Sequence, residues 1–487
     1  MPTKPHIAFI RDNLSQGWVE ILNPAERSRS FSPRAPEQKS NPKLRKRHIQ
    51  WMAIGGSVGA GLFLGSGVAI QKAGPALLIA YLVAGAMVYL IQRALAEMTI
   101  AHPVAGSFGT YASLYLGPTA GFLVSWTFWL AMSLVGATEM TAAGVLLHHL
   151  FPSVAQWIFA LSASIFIFLI NTFAVRVYGE TEYWLALIKV LLIVATMLLS
   201  VSILIGHWGP LGATASVSNV WSFGGMLPHG TQGLAIGMII AVFSFAGTEV
   251  IGLAALETED LEKSIPRAFQ GVFFRITFFY LGSVGFLLTM IPWNKFDSSQ
   301  SPFTQFLSIA GLPEASLVVT LVAVTAMLSS TNTSLYASSR VLSALALAGQ
   351  APRGLSGLNR HGVPLLAITI SAFGLVVGVV LNYLVPQTAF AFLTNTLAWA
   401  IFFVWSSIVL CHLHFYRCRL KAGTLHAVAF RLPGAPWTNA FLLLALTACS
   451  CLLALGGNLI PLFAFFGLLG CLAIAHWIIT ERTRSQN

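Results

Sequence analysis

The stretch Gly55-Gly56-Ser57-Val58-Gly59-Ala60-Gly61 sits inside an apolar segment, 49–70, otherwise long enough to cross a bilayer as one helix. A spanning helix must satisfy its own backbone hydrogen bonds, because lipid offers no substitute. Four glycines in seven residues weaken that ladder. Such a break is tolerated where it lines a protein-walled cavity, and its freed amides and carbonyls then become ligands for something that crosses the membrane. Glycine clusters also let helices pack closely, and Gly55, Gly59 and Gly61 suit that purpose too.

A second break shifts the balance toward a site. Phe243-Ser244-Phe245-Ala246-Gly247-Thr248-Glu249 again places a glycine and polar groups near the middle of an apolar span, 233–254. At about 20 residues per crossing, the chain reads as about twelve spans. They lie near 49–70, 76–97, 119–147, 154–174, 183–205, 233–254, 269–291, 314–345, 364–384, 388–414, 438–456 and 458–480. Breaks in the first and sixth spans predict two five-helix halves, inverted relative to each other, with a site between the breaks near the midplane. The expected fold is an all-α membrane protein built on an inverted five-plus-five repeat with broken first and sixth helices. Identity between the halves is not visible by eye, so the repeat rests on the spacing of the breaks.

Composition supports a membrane protein. The 487 residues are 56% hydrophobic and only 9% charged, against about 25% charged in soluble domains, and mean hydropathy is +0.77. No long polar insertion separates the spans. Residues 49–480 therefore read as a single transmembrane domain, with a basic tail before it, 1–48, and a short tail after it, 481–487. Residues 24–46, rich in Ser, Pro, Arg and Lys, have a disordered composition. The net charge of +11 invites a nucleic-acid partner, but its placement argues against one. Ten of the 27 Lys and Arg lie in the first tail, and others, such as Lys263, Arg267, Arg353 and Arg360, fall in alternate loops. The opposite loops hold only Lys72 and Lys295. This asymmetry places both termini in the cytoplasm.

Five cysteines, Cys411, Cys418, Cys449, Cys451 and Cys471, show neither metal-ligand nor secreted-framework spacing. No metal or cofactor is expected, and the first apolar cluster, Ile7 to Ile10, is too short for a signal peptide. There is no His-Glu-x-x-His and no nucleophile and base at fixed spacing, so an enzyme is not expected. The pair His148-His149 sits at a span end as an ordinary interfacial pair.

Ionisable side chains inside spans are costly, about 2.5–3.5 kcal/mol for Asp, Lys or Arg at a helix centre. Three stand out: Glu139, Lys189 and Glu249. Glu139 shares its helix with Gly136, Ala142 and Ala143, small residues that suit close-packed helices better than lipid. It reads either as a structural carboxylate or as a wall of the site that sets substrate charge or relays a proton. Lys189 is a lone cation in Leu185-Ala186-Leu187-Ile188-Lys189-Val190-Leu191. Burial disfavours its charged form, which suits coupling to protons; otherwise it snorkels to the interface. Glu249 follows the second break and is a further candidate for protonation. Arg93, Glu97 and Arg340 lie nearer span ends, where snorkelling or pairing accounts for them. The polar run Ser329-Ser330-Thr331-Asn332-Thr333-Ser334 either lines the cavity or bonds neighbouring helices.

From Arg47 to Thr480 the chain resembles amino acid permeases of the amino acid–polyamine–organocation superfamily, in its bacterial amino acid transporter branch. The resemblance rests on Gly55 to Phe63, Ala73-Gly74-Pro75, Pro103 to Phe108 and Gly179-Glu180-Thr181-Glu182-Tyr183-Trp184. It also rests on Phe243 to Glu249 with Glu257 to Arg267, on Ser301-Pro302-Phe303 and on Gly362-Val363-Pro364. It implies ten core helices with two more at the C-terminal end, and import of amino acids with protons across the inner membrane. It implies further that amides around Ser57, Gly59, Ala60 and Gly61 receive the substrate carboxylate, and that carbonyls of Phe243 and Ala246 take its ammonium. Phe243 or Phe245 would cover the site as an aromatic gate, and Lys189 matches a lysine that stands where sodium-coupled relatives hold their ion.

The sequence departs from the family pattern at three places. Ala60 stands where most of the branch has threonine, Ala96 interrupts the usual Leu-Gly-Glu-Met, and Asp260-Leu261 replaces Asn-Pro or Asp-Pro. The first removes a hydroxyl near the substrate carboxylate. An amine or polyamine transporter, an exchanger and a non-transporting amino acid sensor are the alternatives.

Overall fold

The computed structural model describes residues 58–104, 106–172, 175–253, 261–298, 300–359, 362–424, 430–455 and 459–486. Gly55, Gly56 and Ser57, and the expected tail 1–48, lie outside the described residues, as do 257–260 of the motif after the sixth span.

Every long element is a helix, as hydrogen-bond closure in lipid requires. From Val58 the first span runs through a π-helical turn, Gly61–Gly65, into α1, Ser66–Ala73. There follow α2 (Ala76–Ala101), α3 (Phe108–Leu116), α4 (Pro118–Leu150), α5 (Gln156–Asn171) and α6 (Val175–Gly206). The second half opens with α7 (Gly230–Phe245), which breaks and resumes as α8 (Val250–Leu253). It continues with α9 (Leu261–Met290), α10 (Pro302–Ile309), α11 (Pro313–Leu347), α12 (Leu365–Leu384) and α13 (Pro386–Lys421). Two helices follow the repeat, α14 (Trp437–Leu455) and α15 (Ile460–Gln486). Among the described residues nine helical segments are long and apolar enough to span; Gln156–Asn171 and Thr277–Met290 are shorter apolar helices.

The expected repeat appears in the packing. In the first half α4 packs on α5 and on the short α3 that precedes it; in the second, α11 packs on α12 and on the short α10. Helix α6 packs on α9 and α11, and its counterpart α13 packs on α2 and α4. Five spans in the first half return the chain to the opposite face, so the second half runs inverted.

Two groups of helices result. One gathers α1, α2, α7 and α9; the other gathers α4, α5, α11 and α12. Small residues set their spacing, because a helix pair in lipid gains from close van der Waals approach. Gly237 brings α7 within ordinary contact of Ala80 on α2 and Ala73 on α1. Gly378 brings α12 so near α4 that an added Cβ would meet Ala137 Cα at 3.0 Å. Helix α15 is largely exposed, with Phe463, Phe466 and Trp477 on its surface.

Candidate functional site

The first break presents backbone groups of both kinds to the neighbouring helices. The Gly59 carbonyl accepts from the amides of Leu62 and Phe63, each at 3.2 Å, and so opens the helical turn. The Ala60 amide, among the first donors of that turn, has no acceptor within the helix. Glu139 of α4 supplies one: its Oε2 accepts the Ala60 N–H at 2.8 Å. The Ser330 hydroxyl of α11 hydrogen-bonds the same carboxylate. A carboxylate suits this position because helix N-termini carry partial positive charge. Gly59 explains its own identity here. A Cβ at this position would collide with both carboxylate oxygens and would lie 2.8 Å from the carboxyl carbon.

One residue earlier the polarity reverses. The Val58 carbonyl accepts from Lys189 Nζ at 2.9 Å. Lys189 is fully buried rather than snorkelling, and it also donates to Ser329 Oγ at 2.9 Å. Ser329 in turn donates to Glu182 Oε1 at 2.5 Å. Glu182, seven residues before Lys189 on the same helix, is buried as well, and its Oε2 accepts from Asn332 Nδ2 at 3.4 Å. Asn332 Oδ1 accepts from Asn171 of α5 at 2.7 Å. The polar run on α11 thus bonds neighbouring helices, as one of the two expectations had it. Ser330 reaches the carboxylate at the break, while Ser329 and Asn332 bond neighbouring helices.

At the second break α7 ends at Phe245, Ala246 leaves in an extended conformation (ψ 141°) and Gly247 adopts φ +94°. That left-handed φ favours glycine, which has no Cβ to clash. Side chains from other helices fasten the turn. Gln92 of α2 donates to Thr248 Oγ1 at 2.7 Å, and the Thr248 hydroxyl donates to the Phe245 carbonyl at 3.0 Å. Glu249 is fully buried and accepts from the Gly247 amide at 3.0 Å and from Trp405 Nε1 of α13.

The two breaks touch. A Cβ on Gly61 would strike Ser244 Oγ and stand 3.0 Å from Ser244 Cα. Tyr81 of α2 places its hydroxyl 3.4 Å from Ser244 Oγ, and Tyr280 of α9 donates to the Ser244 carbonyl at 3.2 Å. The two candidate aromatics part company here. Phe245 packs among Tyr81 and Tyr280, with ring centroids 6.4 and 5.6 Å away. Phe243 meets Phe390 of α13 edge to face at 6.1 Å.

The structure therefore gathers Gly59, Ala60, Glu139 and Lys189 around one stretch of backbone and joins Gly61 to the turn before Phe245 and Ala246. Ser57 lies outside the described residues. The amino acid permease family profile matches residues 48–481. The chain belongs to that family. This permease is 40% identical to the aromatic amino acid transport protein AroP of Escherichia coli (strain K12), over 78% of its own length and 83% of the relative's. It is 39% identical to the L-asparagine permease of Streptomyces coelicolor, over 81% of each chain. A third relative, the uncharacterized amino acid permease YtnA of Bacillus subtilis, is 38% identical over 83% of this chain and 87% of that one. Among solved structures, a manganese transporter of Eremococcus coleocola superposes with a TM-score of 0.55 at 14% identity, covering 90% of this chain and 95% of that one. At that identity the likeness concerns the fold.

Sequence reasoning passed over several residues that bond the two breaks of the permease or lie beyond Lys189. Tyr81, Tyr280 and Trp405 are aromatic residues in apolar helices, and nothing in their neighbourhood marks their polar tips as bonded to a break. Glu182 was visible as part of Gly179 to Trp184, and its seven-residue spacing from Lys189 is the signal that pairs them. That spacing returns two helical turns to the same face.

Proposed function

We propose that this permease imports amino acids across the inner membrane by proton symport with alternating access. The observation that carries the reading is the pair of bonds at the first break. A carboxylate, from Glu139, sits on the Ala60 amide, and an ammonium, from Lys189, sits on the neighbouring Val58 carbonyl. A free amino acid carries those same two groups, and the ends of broken helices supply donors for one and acceptors for the other.

In this reading the substrate carboxylate takes the amides around Ser57, Gly59, Ala60 and Gly61, competing with Glu139 for Ala60. Its ammonium goes to the carbonyls of Phe243 and Ala246 at the end of α7. Phe243, edge-on to Phe390, covers the site, while Phe245 supports it from between Tyr81 and Tyr280. Lys189 carries the coupling proton and Glu249 is the second candidate carrier. The relatives named for aromatic amino acids and for L-asparagine support a substrate with an uncharged side chain. The charge asymmetry of the loops supports cytoplasmic termini, with residues 1–48 as a tail on a single transport domain.

Uptake of labelled amino acids into proteoliposomes, with and without an inward proton gradient and without sodium, tests this. Saturable uptake raised by the gradient is the expected result. Uptake only against a preloaded amino acid would make the protein an exchanger. Binding without uptake would make it a sensor, and binding of amines that lack a carboxylate would move the substrate class.

A further inference from the structure

We propose that Glu182 receives the proton that Lys189 gives up, with the Ser329 hydroxyl as the bridge between them. This rests on the reading of Lys189 as the proton carrier and adds the step by which the proton leaves it.

The geometry has the right polarity at every link. Lys189 Nζ donates to Ser329 Oγ at 2.9 Å, and the Ser329 hydroxyl donates to Glu182 Oε1 at 2.5 Å. Transfer breaks one N–H bond of the ammonium as an O–H bond forms on Ser329. The hydroxyl's original O–H bond breaks as another forms on Glu182. A neutral amine, an intact serine and a protonated carboxyl result, so an ammonium and a carboxylate are exchanged for two neutral groups. In a buried site that exchange removes two charges that are costly to keep apart from water.

The acceptor is fixed in place. Asn332 Nδ2 donates to its other oxygen, and Asn332 is held in that orientation because its Oδ1 accepts from Asn171. Thr333 hydrogen-bonds the same carboxylate. Among the described residues Lys189 acts as a charge on Glu182, and Glu182 and Glu139 both act on Lys189. Glu139 is engaged by the Ala60 amide and Ser330, on the substrate's side of the lysine. Glu182 is reached from the lysine through Ser329 instead. It begins the apolar stretch Glu182–Gly206. The two hydrogen bonds carry the proton from Lys189 to Glu182, at the end of α6 proposed to face the cytoplasm.

Glu182→Gln keeps the size of the side chain and its capacity to accept from Ser329 but cannot take the proton. Proteoliposomes holding the full chain would be assayed with labelled L-phenylalanine and L-asparagine in two ways. One is accumulation driven by an inward proton gradient; the other is counterflow against preloaded unlabelled substrate, which needs the site and its alternation but no net proton release. The expected result is a fall of about a hundredfold in gradient-driven rate, the usual scale for a lost proton-transfer group, with counterflow unchanged. Ser329→Ala should behave likewise, and Ser329→Thr, which keeps a hydroxyl, should restore the coupled rate. Gradient-driven accumulation at the wild-type rate in Glu182→Gln would overturn the proposal. Loss of counterflow together with accumulation in both Glu182→Gln and Ser329→Ala would overturn it too, by making the network structural. If wild-type protein performs counterflow but ignores the gradient, proton symport itself fails, a result seen before any variant is made.

Discussion

Gly59 shows how much of the site hangs on the absence of a single methyl group. The Glu139 carboxylate lies where a Cβ would be, so Gly59→Ala must push it off the Ala60 amide. The methyl would also fill the space in which the substrate carboxylate must approach that amide, and overpacking of about 1–3 kcal/mol there is about a 5- to 160-fold loss of apparent substrate affinity. Uptake at wild-type affinity by Gly59→Ala, correctly inserted, would remove the carboxylate site from this backbone. Lys189→Ala should abolish accumulation against a concentration gradient while leaving exchange measurable. Persistence of accumulation would leave Lys189 a structural bond between Val58 and Ser329. These residues were legible because ionisable groups and glycine clusters are rare in apolar spans. Which atoms they meet was not legible: Glu139 and Ala60 lie 79 positions apart, and only the fold brings them together.

At the scale of the element, the second break is a turn fastened from several sides. Gly247 sits at φ +94°, where a side chain on the backbone costs about 1–2 kcal/mol. Gly247→Ala should lower the thermal midpoint of the detergent-solubilised protein and slow transport. An unshifted midpoint with full activity would show that the turn relaxes without cost. The sequence places this break correctly because a glycine and polar groups interrupt an apolar run. It does not disclose that Gln92 and Trp405 hold the turn, because one amide and one indole among apolar residues carry no positional signal. The choice between Phe243 and Phe245 was likewise closed to sequence reading. Two residues apart on a helix, they point in different directions, and helix rotation decides which one packs among tyrosines.

At the scale of the whole molecule, the inverted repeat was read from the spacing of two breaks and returns as matched packing of α6 and α13. The orientation proposed from charge placement has a direct check. On a cysteine-free background, a membrane-impermeant thiol reagent applied to intact cells should label Lys295→Cys and spare Arg353→Cys; the reverse pattern would invert the topology. No methyl fits between Gly61 and Ser244, which sets the turn before α1 hard against α7. Tyr81 and Tyr280 pin the same point from α2 and α9. These contacts tie α1, α2, α7 and α9 into one packed group, which suits a group that moves as a unit in the proposed transport cycle. Where that group meets α4 and α6, the joints are polar: Ala60 to Glu139 and Val58 to Lys189. In the proposed cycle, cargo with its own carboxylate and ammonium exchanges for such bonds one for one, and the group is released without any of its packed surface being opened.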